Sequence, residues 1–301
     1  MRRSFYGEIA ANKRRSIFLF GLIAGLMIAL GYSFGEAYGL GYGGVVFAIM
    51  LGVISGLVSY YGGASMVLAA SRAREVNRDE HPQLVNVIEE LCIASGLPMP
   101  KIYLIDDTAP NAFATGRDPQ HAAVAITTGL LQKLNRAQLQ GVMAHEMSHV
   151  QNYDILFATM VGILVGSIAL LADIGLRGMH WGIGGRRRSG KNGGGNAIFA
   201  IIAIVLAILA PLFAKLLQLS FSRRREYLAD ASGVQLTRDP EGLASALEII
   251  SRDKEVLEVA NRATQHLFIV NPIKPFEDRA KSLFSTHPPI EERIQRLRSM
   301  S

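Results

Sequence analysis

Four long stretches without a charged residue constrain the fold more than any other feature of this 301-residue chain. They are residues 16–35, 37–71, 155–172 and 192–214. About 17–25 apolar residues are needed for one helix to cross the hydrocarbon core of a bilayer. Three of the stretches are comfortably long enough, and the shortest, 155–172, only just reaches that length. The sequence therefore predicts a mostly α-helical membrane protein with four transmembrane helices.

Basic residues flank these stretches in a pattern that predicts their orientation. They precede the first span and follow the second and the fourth, and the positive-inside rule places such ends in the cytoplasm. These residues are Arg2, Arg3, Lys13, Arg14, Arg15, Arg72, Arg74, Arg223, Arg224 and Arg225. We therefore expect a multi-pass protein of the plasma (inner) membrane with a cytoplasmic N-terminus.

The link between the third and fourth spans disagrees with this pattern. Residues 177–191 hold five basic residues, yet four spans would place the link outside. One alternative is that the last two apolar stretches form a hairpin that only dips into the membrane. The other is that later loops weigh less than the first in setting orientation.

The overall charge and the cysteine count exclude some classes of protein. The net charge of +6 does not indicate nucleic acid, because the basic residues cluster at the ends of the apolar stretches. Cys92 is the single cysteine, which excludes an internal disulfide. The expected partner is the lipid bilayer rather than nucleic acid, and nothing in the residues indicates an oligomeric state.

The segment between the second and third spans has the pattern of a small α+β unit. "HPQLVNVIEELCIASG" has apolar residues at helical spacing and a glycine stop, and "NRAQLQGVMAHEMSHVQNYD" predicts a helix capped by Asn135. "KIYLID", "NAFATG" and "AAVAIT" predict short strands, with a turn at "RDPQH".

The chain thus divides into four segments. Residues 1–71 form a basic segment and a transmembrane hairpin, and residues 72–154 form the first part of a soluble domain. Residues 155–219 form a second hairpin with a Gly/Arg-rich link at 177–196, of which 182–196 is low-complexity and flexible, and residues 220–301 return to the soluble domain.

Glycines four residues apart in the apolar stretches permit close helix packing. Such pairs occur at Gly21–Gly25, Gly52–Gly56 and Gly162–Gly166. The alternative is that glycine is simply common in membrane helices.

Two histidines stand four residues apart in "AHEMSHV", with a glutamate beside the first. On a helix, His145 and His149 lie on one face and can offer two imidazoles to one metal ion. Glu146 can then reach a water at that metal and act as general base. Zinc suits such a set, because catalytic zinc takes nitrogen and carboxylate ligands and keeps one position open. The alternative is a helix that carries two unconnected histidines.

A third ligand is available in "SFSRRREYLAD", where Glu226 and Asp230 are again four residues apart. Asp230 could hydrogen-bond the free ring nitrogen of a ligating histidine. The histidine pair precedes the third span and Glu226 follows the fourth. A helical hairpin between them would therefore bring both to one side of the membrane. The alternative is an ordinary amphipathic helix with an Arg–Glu ion pair.

In combination and order, these motifs resemble the HtpX-type membrane zinc metalloproteases, which are relatives of the CAAX prenyl proteases. The resemblance covers nearly the whole chain and includes "NAFATG", "AHEMSHVQNYD", "RRREYLAD" and "FSTHPPIEERI". It implies a cytoplasmic α+β zincin-like protease domain with one zinc ion held by His145, His149 and Glu226, and Glu146 as the catalytic base. It also implies a substrate-binding edge strand near residues 111–116.

The resemblance further implies a helper histidine at His287, which could donate to the oxyanion of the tetrahedral intermediate. Arg293 is an alternative donor and substrate contact, or a structural partner. Asn111 could hydrogen-bond the backbone of a substrate that adds as a strand to "NAFATG" or "AAVAIT". It could equally be an ordinary turn asparagine.

These residues predict an integral membrane zinc endopeptidase that acts on proteins or peptides at the cytoplasmic face. The resemblance implies misfolded or damaged membrane proteins as substrates, and so a role in quality control during stress. An intramembrane protease is disfavoured because polar residues flank the histidine motif on both sides. A CAAX-type processing enzyme and a non-catalytic scaffold with structural zinc are the remaining alternatives. Four spans are too few for a typical CAAX-type enzyme. Structural zinc usually has four protein ligands, whereas only three are evident here.

Overall fold

The computed structural model describes residues 5–180, 193–253, 255, 257, 269 and 288–300. The helices within this part of the chain are α1 (Phe5–Ala37), α2 (Gly43–Ala70), α3 (Pro82–Ser95), α4 (Thr128–Lys133), α5 (Arg136–Gln151), α6 (Asp154–His180), α7 (Gly193–Thr237), α8 (Pro240–Arg252) and α9 (Ile290–Arg298). The strands are β1 (Arg74–Glu75), β2 (Lys101–Ile105), β3 (Ala112–Gly116) and β4 (Ala122–Thr127). The chain divides into two compact units, one of residues 1–59 and 160–218, the other of residues 60–159 and 219–301.

Four helical segments are long and apolar enough to cross a membrane. They are Ile17–Ala37, Gly43–Ala70, Asp154–Gly178 and Ala197–Leu216. Their outward residues are large and hydrophobic, as expected of side chains that contact lipid. The prediction of a mostly helical protein with four candidate membrane spans is confirmed.

The first unit packs α1 against α2 through glycines that are not among the three pairs named from the sequence. A Cβ atom built on Gly35 would lie 2.2 Å from the carbonyl oxygen of Gly41, and one on Gly44 would lie 2.1 Å from that of Gly31. These helices approach so closely that only hydrogen fits between them.

Five of the six glycines in the three pairs named from the sequence make no such close approach within the described part of the chain. Apart from the local helix backbone and chain neighbours, no atom of the described residues lies within 4 Å of a Cβ built on Gly21, Gly25, Gly56 or Gly166, and Gly52 would contact only Met27. These positions therefore favour the alternative that glycine is simply common in membrane helices, because spacing alone does not tell which face of a helix meets a neighbour.

The link between the third and fourth spans is helical at both of its ends. Helix α6 continues to His180 and α7 begins at Gly193, so both ends of the predicted Gly/Arg-rich link are helical, and residues 193–196 belong to the segment predicted to be flexible. A helix already nucleated in an apolar segment gains one hydrogen bond for each residue added, which can outweigh the low helix propensity of glycine. Residues 181–192 lie outside the described residues.

The second unit contains a four-stranded sheet in the order β1-β2-β4-β3. Strand β2 runs parallel to β4, whereas β3 pairs antiparallel with β4 and β1 antiparallel with β2. The three longer strands coincide with the predicted "KIYLID", "NAFATG" and "AAVAIT" runs, and Pro119–His121 forms a short 3₁₀ turn within the predicted turn segment. Among the described strands, β3 stands at an edge and β4 lies inside the sheet.

Helix α5 lies at the centre of the second unit and contacts α3, α8 and β3. Asn135 caps it through a reciprocal capping box with Gln138, as predicted. Helix α3 ends at Gly96 in the left-handed conformation, which confirms the predicted glycine stop. Gly141 allows α8 to pack directly on the α5 backbone, since an added Cβ would lie 2.6 Å from the amide nitrogen of Leu243.

Candidate metal centre

The histidine motif occupies the last two turns of α5, where the helix is almost completely enclosed. His145 and Glu146 are buried, and His149 is partly exposed. The Nε2 atoms of His145 and His149 lie 3.2 Å apart, and the two imidazole rings are nearly perpendicular. The two imidazoles therefore direct one nitrogen each towards a common point, as the four-residue spacing predicts.

Glu226 reaches this point from α7. Its Oε2 atom lies 3.7 Å from Nε2 of His145, and its Oε1 atom lies 3.5 Å from Nε2 of His149. One donor atom from each of the three residues lies within 4.8 Å of the other two. Glu226, which follows the fourth span in the sequence, therefore lies beside the histidine pair that precedes the third span, as predicted.

The donor set fits a catalytic zinc ion. Two imidazole nitrogens and one carboxylate oxygen are ligands that zinc accepts, and three protein ligands leave the fourth tetrahedral position for water or substrate. The Nδ1 atom of each histidine already faces a carboxylate, so Nε2 is the nitrogen left for a metal. In the described part of the chain, this is the group of histidine, cysteine and acidic residues that could hold a metal ion.

Asp230 is placed beside His145, as the sequence predicts. Its Oδ1 atom lies 2.9 Å from Nδ1 of His145. Burial alone would raise the pKa of Asp230, but Arg293 and the hydrogen bond with His145 lower it below its usual value. The carboxylate therefore stays ionised and can hold the imidazole with its proton on Nδ1.

Arg293 lies beneath the same group, and its side chain is 0% exposed. Its Nε and Nη2 atoms donate to the two carboxylate oxygens of Asp230 at 2.9 and 2.7 Å. Its Nη1 atom lies 3.4 Å from Oε2 of Glu226 and donates to the carbonyl oxygen of Ile269 at 3.3 Å. These contacts favour the structural alternative for Arg293, and its predicted contact with substrate stays a prediction.

Glu146 projects from α5 towards the edge strand. The backbone N–H of Ala114 in β3 donates to its carboxylate, which ties the predicted base to the predicted substrate strand. Burial raises the pKa of Glu146 above its usual value, although the neighbouring His145 and His149 oppose the shift. A carboxylate with a raised pKa is better suited to accept and return a proton near neutral pH.

The outer edge of β3 is contacted by the chain itself. The amide of Ile269 donates to the carbonyl oxygen of Ala112 at 2.9 Å. Asn111 is buried at the start of β3, where its Oδ1 atom accepts a hydrogen bond from the amide of Ala112. Its contacts favour a role in shaping the strand, and its predicted contact with substrate stays a prediction. His287 lies outside the described residues.

Two further residues border the site, although the sequence indicated for them only a position near the membrane boundary and no part in the metal centre. Asp154, the first residue of α6, contacts His149, and Arg225, the residue before Glu226, contacts Asp154. The signal available in the sequence was an acidic residue shortly after the second histidine. Whether this acidic residue contacts the histidine depends on the turn between α5 and α6, which the sequence does not show.

Comparison with known proteins identifies the family. The model for peptidase family M48 matches residues 78–301, which includes the histidine motif, Glu226 and Asp230. The chain belongs to peptidase family M48. Members are zinc-dependent metallopeptidases, so the chain is a zinc-dependent metalloprotease.

Relatives in this family extend the match to the membrane spans. A "Protease HtpX homolog" of Dictyoglomus turgidum is 45% identical over 297 residues, which is 99% of this chain and 95% of the relative. One of Thermoanaerobacter pseudethanolicus is 48% identical over 249 residues, which is 83% of this chain and 82% of the relative. The resemblance to HtpX-type membrane metalloproteases is therefore confirmed.

A solved structure shows a similar fold. Ste24p of S. mikatae aligns with a TM-score of 0.53 at 20% sequence identity, covering 96% of this chain and 66% of the longer Ste24p chain. Identity at this level supports the fold alone. The expected mostly helical membrane fold with a small α+β metalloprotease domain is confirmed.

Proposed function

We propose that His145, His149 and Glu226 hold the zinc ion and that Glu146 is the general base of an endopeptidase. The observation that carries this proposal is the convergence of three donor atoms from α5 and α7 within 4.8 Å of one another, with Glu146 next to the first of them. Three protein ligands and a neighbouring carboxylate are typical of hydrolytic rather than structural zinc.

The chemistry divides between the metal and the chain. Zinc, when bound, supplies Lewis acidity that polarises a carbonyl group and eases the ionisation of water. Glu146 accepts the proton of the attacking water and passes it to the leaving amine, for which its raised pKa is suited. Asp230 keeps His145 in the tautomer that binds through Nε2, and Arg293 holds Asp230.

The substrate class follows from the edge strand. Strand β3 ends one side of the described sheet, and a peptide in extended conformation binds such an edge by adding a strand, here by displacing the amide of Ile269 from the carbonyl oxygen of Ala112. The amide of Ala114 connects β3 to Glu146, so a peptide on this edge lies beside the base. We therefore propose unfolded protein segments as substrates, since these expose extended backbone.

The orientation and physiological role are part of the same proposal. Basic residues at the ends of the first, second and fourth spans support an active site at the cytoplasmic face of the plasma membrane. Misfolded or damaged membrane proteins are the substrates that the family resemblance supports.

Replacement of the proposed base tests this function. In purified, zinc-loaded protein, Glu146→Gln should abolish cleavage of casein and self-cleavage while zinc remains bound, because glutamine cannot accept the proton. Glu89→Gln on the exposed face of α3 is the matched control and should keep full activity. Unchanged proteolysis in Glu146→Gln would overturn the mechanism. Wild type that binds zinc without cleaving any substrate would favour the non-catalytic scaffold.

A further inference from the structure

A second carboxylate contacts the proposed zinc ligands, at His149 rather than at His145. The Oδ2 atom of Asp154 lies 3.2 Å from Nδ1 of His149. Asp154 is 4% exposed, although it is the first residue of the helix that leads into the third span. A buried carboxylate at this position therefore has a defined partner in the metal centre.

The turn between α5 and α6 accounts for this placement. Tyr153 has a φ of 60°, a left-handed conformation that is uncommon for a residue with a bulky side chain. Its amide donates to the carbonyl oxygen of Val150, so α5 ends there and α6 starts in a new direction. Asp154 is thereby directed back at His149 instead of continuing the α5 helix.

Arg225, on α7, contacts Asp154 and holds it in place. Its Nη1 atom lies 3.3 Å from Oδ1 of Asp154, and its guanidinium carbon lies 3.3 Å from the centre of the Phe157 ring. Arg225 is 5% exposed and immediately precedes Glu226 in α7. Burial lowers the pKa of Arg225 to about 10, and the charge of Asp154 opposes that shift.

The two histidines thus have the same kind of support. His145 contacts Asp230, which contacts Arg293, and His149 contacts Asp154, which contacts Arg225. In each case the carboxylate faces Nδ1 and leaves Nε2 directed at the common point.

We propose that Asp154 is a positioning residue for zinc binding, which holds His149 with its proton on Nδ1, and that Arg225 keeps Asp154 in place. This inference rests on the zinc site proposed above. Through Arg225 and Glu226, the contact also joins the C-terminal end of α5 to the ligand on α7. The simpler reading is that Asp154 only stabilises the first turn of α6 through the helix dipole. That reading predicts an effect on folding and none on the metal.

Zinc affinity separates the two readings. We would titrate purified full-length protein with zinc against a competing chelator, and compare wild type with Asp154→Asn and Asp154→Ala. Removal of such a partner typically weakens metal binding about 10–100-fold. We expect Asp154→Ala to be the weaker binder, because asparagine can still accept a hydrogen bond from Nδ1. The exposed Asp79→Asn is the matched control and should bind zinc like wild type.

Arg225 provides a second variant. Arg225→Met should also weaken zinc binding, and the double variant Asp154→Asn/Arg225→Met should bind zinc no more weakly than the weaker single variant, since both changes break one connected contact. Additive losses of affinity would overturn the role of Arg225. If Asp154→Ala fails to fold, the isosteric Asp154→Asn decides.

The outcome distinguishes this inference from the proposed site itself. His149→Ala should nearly abolish tight zinc binding, and retention of wild-type affinity in that variant would overturn the whole ligand set. If His149→Ala loses zinc but Asp154→Asn keeps wild-type affinity, only the positioning role is overturned. If Asp154→Asn lowers the thermal midpoint of the metal-free protein but leaves the zinc affinity unchanged, Asp154 only stabilises the start of α6.

Discussion

The Oδ1 atom of Asp230 lies 2.9 Å from Nδ1 of His145, although one residue lies on α7 and the other on α5. The same oxygen accepts a hydrogen bond from Nη2 of Arg293 at 2.7 Å. One buried carboxylate therefore orients a proposed zinc ligand and neutralises a buried cation. Its two functions can be separated by measuring metal affinity and stability independently.

Asp230→Asn should weaken zinc binding about 10–100-fold, because the neutral amide no longer favours the proton on Nδ1 of His145. Chelator competition on the purified protein measures this change. Asp79→Asn serves as the control on the surface. Wild-type affinity in Asp230→Asn would show that the contact does not support the metal.

Arg293→Met should lower the free energy of unfolding by about 3–5 kcal/mol, because it leaves the buried carboxylate of Asp230 without the guanidinium that donates to both of its oxygens. Thermal denaturation of the metal-free protein would report the loss. The control is Arg252→Met, whose side chain is 77% exposed in an ion pair with Glu248 and should change stability by at most about 1 kcal/mol. Equal effects of the two replacements would contradict the structural role of Arg293.

Gly141→Ala should separate α8 from α5, because the added methyl group would lie 2.6 Å from the amide nitrogen of Leu243. Overpacking of this kind typically costs about 1–3 kcal/mol. Gly62→Ala is a matched control, since nothing lies within 4 Å of a Cβ at that position. Thermal midpoints of the two variants should differ by several degrees, and a Gly141→Ala protein as stable as the control would contradict the packing.

The metal-free protein should lose stability as the pH rises from about 6.5 to 9. Burial lowers the pKa of His149, but the hydrogen bond to Asp154 and the charges of Glu226, Asp154 and Glu146 raise it from 6.5 to about 9. The contribution of protonated His149 to the free energy of unfolding is therefore fully present below pH 6.5, and it is lost as the pH rises through 9. Thermal midpoints of chelator-treated protein at both pH values test this, and His149→Gln should flatten the difference.

The proposed orientation predicts opposite labelling of two single-cysteine variants. In a Cys92→Ser background, Leu40→Cys lies in the exposed turn between α1 and α2 and should react with a membrane-impermeant thiol reagent in intact cells. Asp79→Cys should react only after the membrane is opened. The reverse pattern would place the metal centre on the outer face.

The sequence by itself determined the elements that depend on local chemistry. Uncharged runs of sufficient length predicted four membrane helices, since bilayer thickness fixes the length that a span needs. The i, i+4 spacing of His145 and His149 predicted a shared face, because helix geometry fixes that relationship. Asn135 and Gly96 marked helix ends for equally local reasons.

The tertiary structure decided what depends on elements that meet from distant parts of the chain. It selected β3 over β4 as the edge strand, since strand order is a property of the sheet and not of either segment. It moved the close α1–α2 contact to Gly35 and Gly44, because helix rotation follows from packing. It joined Asp154 to His149 through the left-handed Tyr153, a backbone conformation that residue type does not predict. Side-chain chemistry thus indicated the zinc ligands, whereas the groups that hold them in position became visible only when the helices packed together.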